Sequence, residues 1–372
     1  MGTPWVYENE PVSTWLDDDL KQFLIWAVEN KCSDILLQPG TGIWIRIDGE
    51  WWQTTKRRLH TDEINILLDI ISYDPSSSAR LKGGEDIDFS YEIKLSRIER
   101  LRFRVNASAC QDGYNSGATM VLRTIPSLPP KIEDLNVEPE ILEAAFPNNG
   151  LVLVTGVMGT GKSTLLSSLL RHVRETQRRN IITYEAPIEF DLMGIPNPLG
   201  PLVQTQIPIH LQDFDRAPRN SARRAADIIL VGESRDRETL KGMIESAEIG
   251  VCAYSTVHTR SVAETPSRII NVFPQDMQNQ IASTLISGLR LIIQQRLLPK
   301  VGGGRVAVKE YLSFTNELRE RLYKIPLNEL IPAIQEMVDS HGQNLLVDAT
   351  RKMEKGLIRE VDYEAILKEK QK

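Results

Sequence analysis

The chain has 372 residues, enough for two or three domains, and its 41% hydrophobic and 25% charged residues are typical of a soluble globular protein. The formal net charge is −6 and no block of Lys or Arg dominates, which argues against direct binding of nucleic acid. The three cysteines are scattered, which predicts a reducing compartment and no zinc site. The amino terminus is acidic and no run of about 18 apolar residues occurs, which predicts no signal peptide and no membrane-spanning helix. We therefore expect a cytoplasmic protein that meets a membrane only through partners.

The first third of the chain is predicted to form one small α+β domain, residues 1–125. All six tryptophans lie in the first 52 residues, and helical spacing of apolar residues follows the acidic run Asp17–Asp19. The alternation in IWIRIDGEWW predicts strands around an Asp-Gly turn, and a second helix is predicted near 61–73. Three further strands are predicted in DIDFSYEI, ERLRFRVNASA and ATMVLRTI, so that the domain has an antiparallel sheet.

A proline-rich linker is predicted at 126–149, where proline density blocks a continuous helix or a central strand. We expect it to act as a hinge with a short helix inside. From Leu151, short apolar strands alternate with helical stretches, which predicts a mainly parallel sheet covered on both faces over residues 150–310. The remaining 311–372 continue a strand, RVAVKEYLSF, and then become helical; their apolar spacing fits packing on the core and partner binding equally well.

A phosphate-binding loop is predicted at 156–164, where GVMGTGKST matches the pattern G-x-x-x-x-G-K-[ST] between an apolar strand and an amphipathic helix. Glycines let the backbone wrap around phosphates, and successive N–H groups at a helix start face the anion. Lys162 would reach the terminal phosphates and Ser163 would bind Mg²⁺. The predicted nucleotide-binding residues of the loop are Gly156, Met158, Gly159, Thr160, Gly161, Lys162, Ser163 and Thr164.

Carboxylates follow two further strand candidates. The segment IITYEAPIEF carries Glu185 at a strand end and Glu189 four residues later, and DIILVGE ends in Glu233. If these strands belong to the same parallel sheet, their carboxyl ends meet the nucleotide, where the acids would activate water or bind the metal shell. A strand beside the phosphate-loop strand would bring Glu233 to the magnesium. The alternative is a solvated acidic loop, and the spacing does not decide which glutamate activates water.

His258 follows another apolar strand candidate, in STVHTRS. At that position it is suited either to sense the γ-phosphate of a bound nucleotide or to serve as an ordinary structural residue. The other four histidines show no ligand spacing.

These motifs occur in a characteristic order: the phosphate loop, the acidic box ITYEAPIEF, the carboxylate strand ADIILVGESRD and the histidine box STVHTRSVAETPSRIINVFP. With SDILLQPGTGIWIRIDGEW, DIDFSYEI, RFRVN and VLRTIP in the first domain, the chain strongly resembles the secretion and pilus ATPases of the PilT and type II/type IV secretion superfamily over roughly 30–310. The resemblance implies an α/β RecA-like P-loop NTPase core preceded by a PAS-like amino-terminal domain.

The same resemblance implies a homohexamer at the cytoplasmic face of an inner-membrane secretion or conjugation assembly, which hydrolyses ATP with Mg²⁺ held between its domains. The family's phosphate- and magnesium-binding residues match Lys162 and Ser163 of this sequence. Its acidic box matches Glu185 and Glu189, its second box Glu233, and its histidine box His258. Arg104 and Arg123 match family arginines that reach the phosphates from the first domain or from a neighbouring subunit.

Two departures from the family pattern bear on the rate of hydrolysis. Ala186 stands where the acidic box usually has aspartate, and Val251 stands where a histidine usually precedes the histidine box. The four-cysteine zinc module of many assembly ATPases is absent, and NELRERLYK replaces the AIRN-like signature of retraction motors. These differences favour the DotB branch of type IVB secretion and the conjugal transfer ATPases called TraJ. A pilus retraction or assembly motor and a weakly hydrolysing scaffold remain alternatives, while direct DNA translocation is disfavoured.

Overall fold

The structure is a computed structural model that describes residues 4–96, 100–125, 128–232, 234 and 236–370. The chain divides into two compact units, Met1–Ser127 and Leu128–Lys372. None of the helices formed by the described residues is both long and apolar enough to cross a membrane.

The first unit is an antiparallel sheet with helices on one face. Its elements in chain order are α1 (Asp17–Glu29), β1 (Asp34–Leu37), β2 (Trp44–Ile47), β3 (Glu50–Gln53), α2 (Thr61–Ile71), α3 (Ser77–Lys82), β4 (Ile87–Lys94), β5 (Arg100–Asp112) and β6 (Asn115–Ile125). The strand order is β3-β2-β1-β6-β5-β4, and every neighbouring pair is antiparallel, as the alternating sequence predicts. The inward faces of the strands and the helices share one buried cluster, which includes Phe23, Ile35, Leu68 and Phe103.

The second unit is a seven-stranded sheet covered by helices on both faces. Its helices and strands are α4 (Pro139–Ala144), β7 (Gly150–Thr155), α5 (Lys162–Thr176), β8 (Ile181–Glu185), β9 (Leu202–Gln206), α6 (Ala217–Arg223), β10 (Ile228–Val231), α7 (Arg237–Glu248), β11 (Cys252–Val257), α8 (Glu264–Ile270), α9 (Gln275–Gly288), β12 (Leu289–Pro299), β13 (Arg305–Ser313), α10 (Asn316–Leu322), α11 (Leu330–His341), α12 (Leu345–Glu354) and α13 (Glu360–Lys370). Short 3₁₀ turns occupy Ile132–Leu135, Phe214–Arg216 and Leu327–Glu329.

The strand order of this sheet is β13-β12-β7-β11-β10-β8-β9, and only the β12–β13 pair is antiparallel. Strands β7, β8, β10 and β11 are buried along their whole length, which explains their unbroken apolar sequences. The order corrects one expectation: β10, which precedes Glu233, does not adjoin the phosphate-loop strand β7, because β11 lies between them.

The predicted linker 126–149 is part of the second unit from Leu128 onward. Ile132, Ile141 and Ala145 are buried in a cluster with the strands and α5, because the short helical turns here present an apolar face to the sheet. The boundary between the units therefore falls at the start of the predicted linker, and the apolar residues of 128–149 pack on the second unit.

The carboxyl-terminal helices also pack on the core. Leu330, Ile334 and Val338 of α11 are fully buried, whereas Ile331 is exposed. Farther on, two buried carboxylates tie α12 to the core: Asp348 accepts a hydrogen bond from the backbone N–H of Lys309 at 2.8 Å, and Glu138 accepts one from Arg351 of α12 at 3.1 Å. Because the charges are paired and hydrogen-bonded, their burial is tolerated.

Candidate nucleotide and acidic-loop site

The predicted site residues of the second unit that the structure describes follow strands that end at one edge of its sheet. Parallel strands place their carboxyl ends together, and a ligand crevice forms at this edge. The phosphate loop follows β7, His258 follows β11, and the acidic segment follows β8. The sheet order puts β8 three strands from β7, which corresponds to roughly 14 Å at the usual strand spacing.

The phosphate loop has the backbone that its glycines permit. Gly156, Gly159 and Gly161 have φ values of 144°, 78° and 80°, in the region that side chains disfavour. Helix α5 begins directly after the loop at Lys162, so that its free N–H groups and the positive end of its dipole face the loop. Lys162 is buried, and its Nζ donates to the carbonyl oxygens of Gly156 and Val157 at 2.9 and 3.0 Å.

Gln295 of β12 supports the phosphate loop from the neighbouring strand. Its Nε2 donates to the carbonyl oxygen of Thr160 at 2.6 Å. A Cβ atom added at Gly156 would lie 2.5 Å from the Gln295 carbonyl oxygen, so that a glycine is required where the loop passes β12. A concave loop of backbone N–H groups beside a lysine, with Ser163 in the first helical turn, fits the phosphates of a nucleotide and a Mg²⁺ ion.

The acidic loop, residues 185–192, begins at the end of β8 and returns toward β9. Glu185 is buried, and its Oε1 accepts hydrogen bonds from Thr183 Oγ1 at 2.5 Å and from Gln204 Nε2 at 3.1 Å. The backbone N–H of Glu189 also donates to the Glu185 carboxylate, which brings the two predicted acids together. The segment is therefore not the freely solvated acidic loop of the alternative interpretation.

Burial raises the pKa of Glu185 above its ordinary value, and the nearby charge of Glu189 raises it further. The hydrogen bonds from Thr183, Gln204 and the Glu189 backbone act in the opposite direction, and burial prevails. A carboxyl group with a raised pKa is suited to accept a proton from water near neutral pH.

His258 stands beside the phosphate loop. Val257 of β11 pairs with Thr155 of β7, so that His258 and Gly156 leave adjacent strands at the same level. His258 is exposed and lines a pocket of about 210 Å³ with Ser234, Arg268 and apolar side chains. The predicted catalytic residue Glu233 lies outside the described residues. Its neighbour Ser234 is buried, 2.8 Å from Ser255 Oγ.

Arg104 and Arg123 belong to the first unit, where β5 and β6 place them directly opposite each other. Both lie on the sheet face that the helices leave open. Arg123 is largely exposed and donates from Nε to the buried carboxylate of Asp34 at 2.8 Å. The two guanidinium groups thus occupy one face of one sheet, an arrangement suited to an anionic ligand.

The two departures from the family pattern lie in different environments. Ala186 is exposed in the acidic loop, next to Glu185. Val251 is buried among core residues and precedes β11, whose first residue pairs with Gly150 at the start of β7. Val251 therefore lies at the opposite edge of the sheet from the phosphate loop, about 20 Å away by strand geometry, and does not contact the nucleotide.

A family model described as type II/IV secretion system protein matches residues 10–362. The chain belongs to this family. It is 34% identical over 321 residues to the type IV pilus retraction ATPase PilT of Pseudomonas aeruginosa. The matched region covers 85% of this chain and 89% of that protein. As a member of this family with an intact phosphate loop, the chain is a nucleotide-binding ATPase.

Solved structures agree with the assignment. The X-ray structure of the Legionella pneumophila ATPase DotB matches with a TM-score of 0.84 and 38% identity, covering 97% of this chain and 98% of that one. The pilus retraction motor PilT with bound ADP matches with a TM-score of 0.79 and 30% identity, covering 92% and 95%. The predicted resemblance and the predicted fold class are both confirmed.

Sequence reasoning missed the residues that support the two loops. Gln295 and Gln204 lie on β12 and β9, two strands that we did not predict. Their local sequences, IIQQRLL and LVQTQ, are polar enough at the critical positions to weaken an apolar strand signal. Neither glutamine lies at a fixed spacing from the phosphate loop or the acidic box, so no sequence pattern could have predicted its role.

Proposed function

We propose that this ATPase powers a type IVB-like or conjugative secretion system from the cytoplasmic face of the inner membrane. The observation that carries the proposal is the likeness to DotB along nearly the whole of both chains, at higher identity than to the PilT structure. The missing AIRN-like signature, replaced by NELRERLYK, supports the same branch.

In the proposed cycle, Lys162 binds the terminal phosphates and Ser163 holds Mg²⁺, while Gly156, Gly159 and Gly161 shape the loop. The remaining loop residues proposed to contact nucleotide are Met158, Thr160 and Thr164. A bound Mg²⁺ ion would supply charge neutralisation of the phosphates.

The acids would act on the other side of the transferred phosphate. We assign Glu185, Glu189 and Glu233 to orienting and deprotonating the attacking water, and His258 to sensing the γ-phosphate. The burial of Glu185 and its raised pKa support the role of base for that residue.

Arg104 and Arg123 would contact the phosphates of a nucleotide bound to the core of the same or a neighbouring subunit in a homohexameric ring. Loss of the γ-phosphate would release these contacts and let the first unit move against the second, with a hinge in the predicted linker 126–149. Successive hydrolysis around the ring would convert ATP into mechanical work on membrane-embedded partners.

A pilus retraction motor is the second candidate, and the PilT relative at 34% identity is the observation that favours it. The deciding experiment is genetic. In the organism that encodes the chain, the gene is deleted and restored as the unmodified chain or as Lys162→Ala, and substrate transfer to recipient cells is measured beside surface motility.

Loss of transfer with normal motility, rescued only by the unmodified chain, is the expected result. Loss of motility with normal transfer would overturn the secretion role and favour retraction. Rescue of transfer by Lys162→Ala would instead favour a scaffold that needs no hydrolysis.

A further inference from the structure

Strand β9 carries two glutamines, at 204 and 206, that face the acidic loop. Gln204 is paired in register with Thr183 on β8, and Gln206 with Glu185. The two strands are adjacent, but Gln204 lies 19 positions after Glu185, whose carboxylate it contacts. The contact is thus tertiary, and no local motif specifies it.

Gln204 makes three side-chain hydrogen bonds, all of them to residues of this loop. Its Nε2 donates to Glu185 Oε1 at 3.1 Å and to the carbonyl oxygen of Phe190 at 2.9 Å, and its Oε1 accepts from the backbone N–H of Leu192 at 2.9 Å. Only this orientation of the amide gives donors to both acceptors and an acceptor to the N–H group. The side chain therefore connects the start of the acidic loop to its end.

Gln206 adds a weaker contact in the middle of the same loop, because its Oε1 accepts from the backbone N–H of Ile188 at 3.4 Å. The loop has no regular secondary structure between Glu185 and Leu192. Glutamine side chains from β9 thus replace the backbone hydrogen bonds that a helix or strand would have supplied.

The placement of the loop matters for hydrolysis because its acids start far from the phosphates. Glu185 is the last residue of β8, which lies three strands from the phosphate-loop strand β7. The position of Glu189 is set by the course of the loop that follows β8. A displacement of about 1 Å at a reacting group lowers rates by roughly a hundredfold. The orientation of the Glu185 carboxylate therefore depends on the contacts that fix residues 185–192.

We propose that Gln204 is a positioning residue for ATP hydrolysis, which fixes the Glu185 carboxylate and the acidic loop through its three hydrogen bonds. The proposal rests on the proposed role of Glu185 in the reaction. It assigns to β9 a part in catalysis without any contact between Gln204 and the nucleotide.

A double-mutant cycle tests the proposal, with purified full-length chains of Gln204→Met, Glu185→Gln and the double variant. Methionine keeps the length of the side chain and removes all three hydrogen bonds. We expect Gln204→Met to lower kcat by tenfold to a hundredfold, the range of about one lost hydrogen bond to a charged group, with KM for ATP changed less than threefold. In the Glu185→Gln background, the same change should lower kcat less than threefold, because the group that it positions is already neutralised.

Two controls separate positioning from general damage. Val203→Thr alters the adjacent, more exposed residue of β9 and should leave kcat within twofold. Binding of a fluorescent ADP analogue should be unchanged within twofold in Gln204→Met, because other strands form the phosphate loop. If the methionine variant does not fold, Gln204→Asn withdraws the amide by about 1.5 Å and is expected to show the same split between kcat and KM.

The outcomes distinguish this inference from the proposed function. If Glu185→Gln lowers kcat strongly and a folded Gln204 variant keeps kcat within twofold, the positioning role is wrong and the role of Glu185 stands. Equal losses from Gln204→Met in both backgrounds would also overturn it, since the effect would not pass through Glu185. Normal turnover in Glu185→Gln would overturn the role of Glu185 and the positioning role together.

Discussion

The phosphate loop and the acidic loop leave the same edge of one sheet, but they are held in different ways. The phosphate loop gets most of its shape from its own glycines and from Lys162, which donates to carbonyl oxygens only five and six residues away, and Gln295 of β12 adds one hydrogen bond to it. The acidic loop is held by Gln204 and Gln206, side chains from another strand. The first is therefore encoded largely by a short motif, whereas the second depends mainly on tertiary contacts that a motif does not contain.

This difference predicts that the acidic loop keeps its shape with alanine at the second position of the box. Ala186 is exposed, and the contacts that hold the loop come from Thr183, Gln204, Gln206 and the Glu189 backbone rather than from the side chain at 186. A substitution within the phosphate loop would instead place a side chain at glycines whose positive φ values disfavour one. The comparison predicts large effects from local changes in the first loop and small effects from exposed changes in the second.

The largest expected effect is that of Lys162→Ala. The substitution removes the cation that approaches the terminal phosphates and should lower ATP turnover by at least about a hundredfold. Steady-state phosphate release measures it, with Lys241→Ala on the exposed side of α7 as the matched control. Turnover within threefold of the unmodified chain would contradict the assignment of the phosphate loop.

Two glycine substitutions in the phosphate loop separate the effect of backbone strain from that of a steric clash with β12. Gly156→Ala should weaken ATP binding by tenfold or more, because its Cβ would meet the Gln295 carbonyl oxygen at 2.5 Å in addition to the strained φ. Gly159→Ala is the control: its φ is also positive, but nothing lies within 4 Å of the added Cβ, so that the cost should be about 1 kcal/mol of backbone strain. Titration with a fluorescent nucleotide distinguishes the two, and equal affinities would show that β12 does not constrain the loop.

Glu185→Gln should stabilise the protein while it impairs hydrolysis. Because the pKa of Glu185 is raised in the folded state, the folded protein favours its protonated form. The stability that this group contributes is complete below its unfolded pKa and is lost as pH rises through the raised folded value. The melting temperature of the variant should therefore exceed that of the unmodified chain near pH 7.5 by about 2–4 °C for each kcal/mol gained.

That difference should shrink as pH falls toward the ordinary pKa of a glutamic acid. Melting curves across this range provide the test, and Glu245→Gln on the exposed side of α7 controls for the change in net charge. A variant less stable than the unmodified chain at pH 7.5 would show that the carboxylate is better solvated or paired than the structure indicates.

The smallest expected effect is that of Ala186→Asp, which restores the usual residue of the acidic box. Position 186 is exposed, so the stability change should stay within about 0.5 kcal/mol and turnover within threefold. Parallel measurement of melting temperature and kcat tests this. A tenfold gain in turnover would mean that the missing aspartate limits the reaction, and would support the scaffold interpretation of the unmodified chain.

The same contrast accounts for what the sequence reveals. The fold class, the two sheets and the position of the phosphate loop follow from unbroken apolar strands and from fixed glycine spacing, both of which are local. The strand order is not local, so that the separation of β7 from β10 by β11 had to come from the structure. The supporting contacts of Gln204 and Gln295, and the packing of 128–149 on the core, likewise depend on which segments meet in three dimensions.

The most direct test of the account is ATP turnover per chain, measured across protein concentration beside light-scattering mass with and without nucleotide. The account predicts turnover that rises as chains assemble into rings of six and that collapses in Lys162→Ala and Glu185→Gln. Assembly and nucleotide binding without turnover in the unmodified chain would contradict the proposed motor, and turnover that is independent of assembly would contradict sites completed between neighbouring subunits.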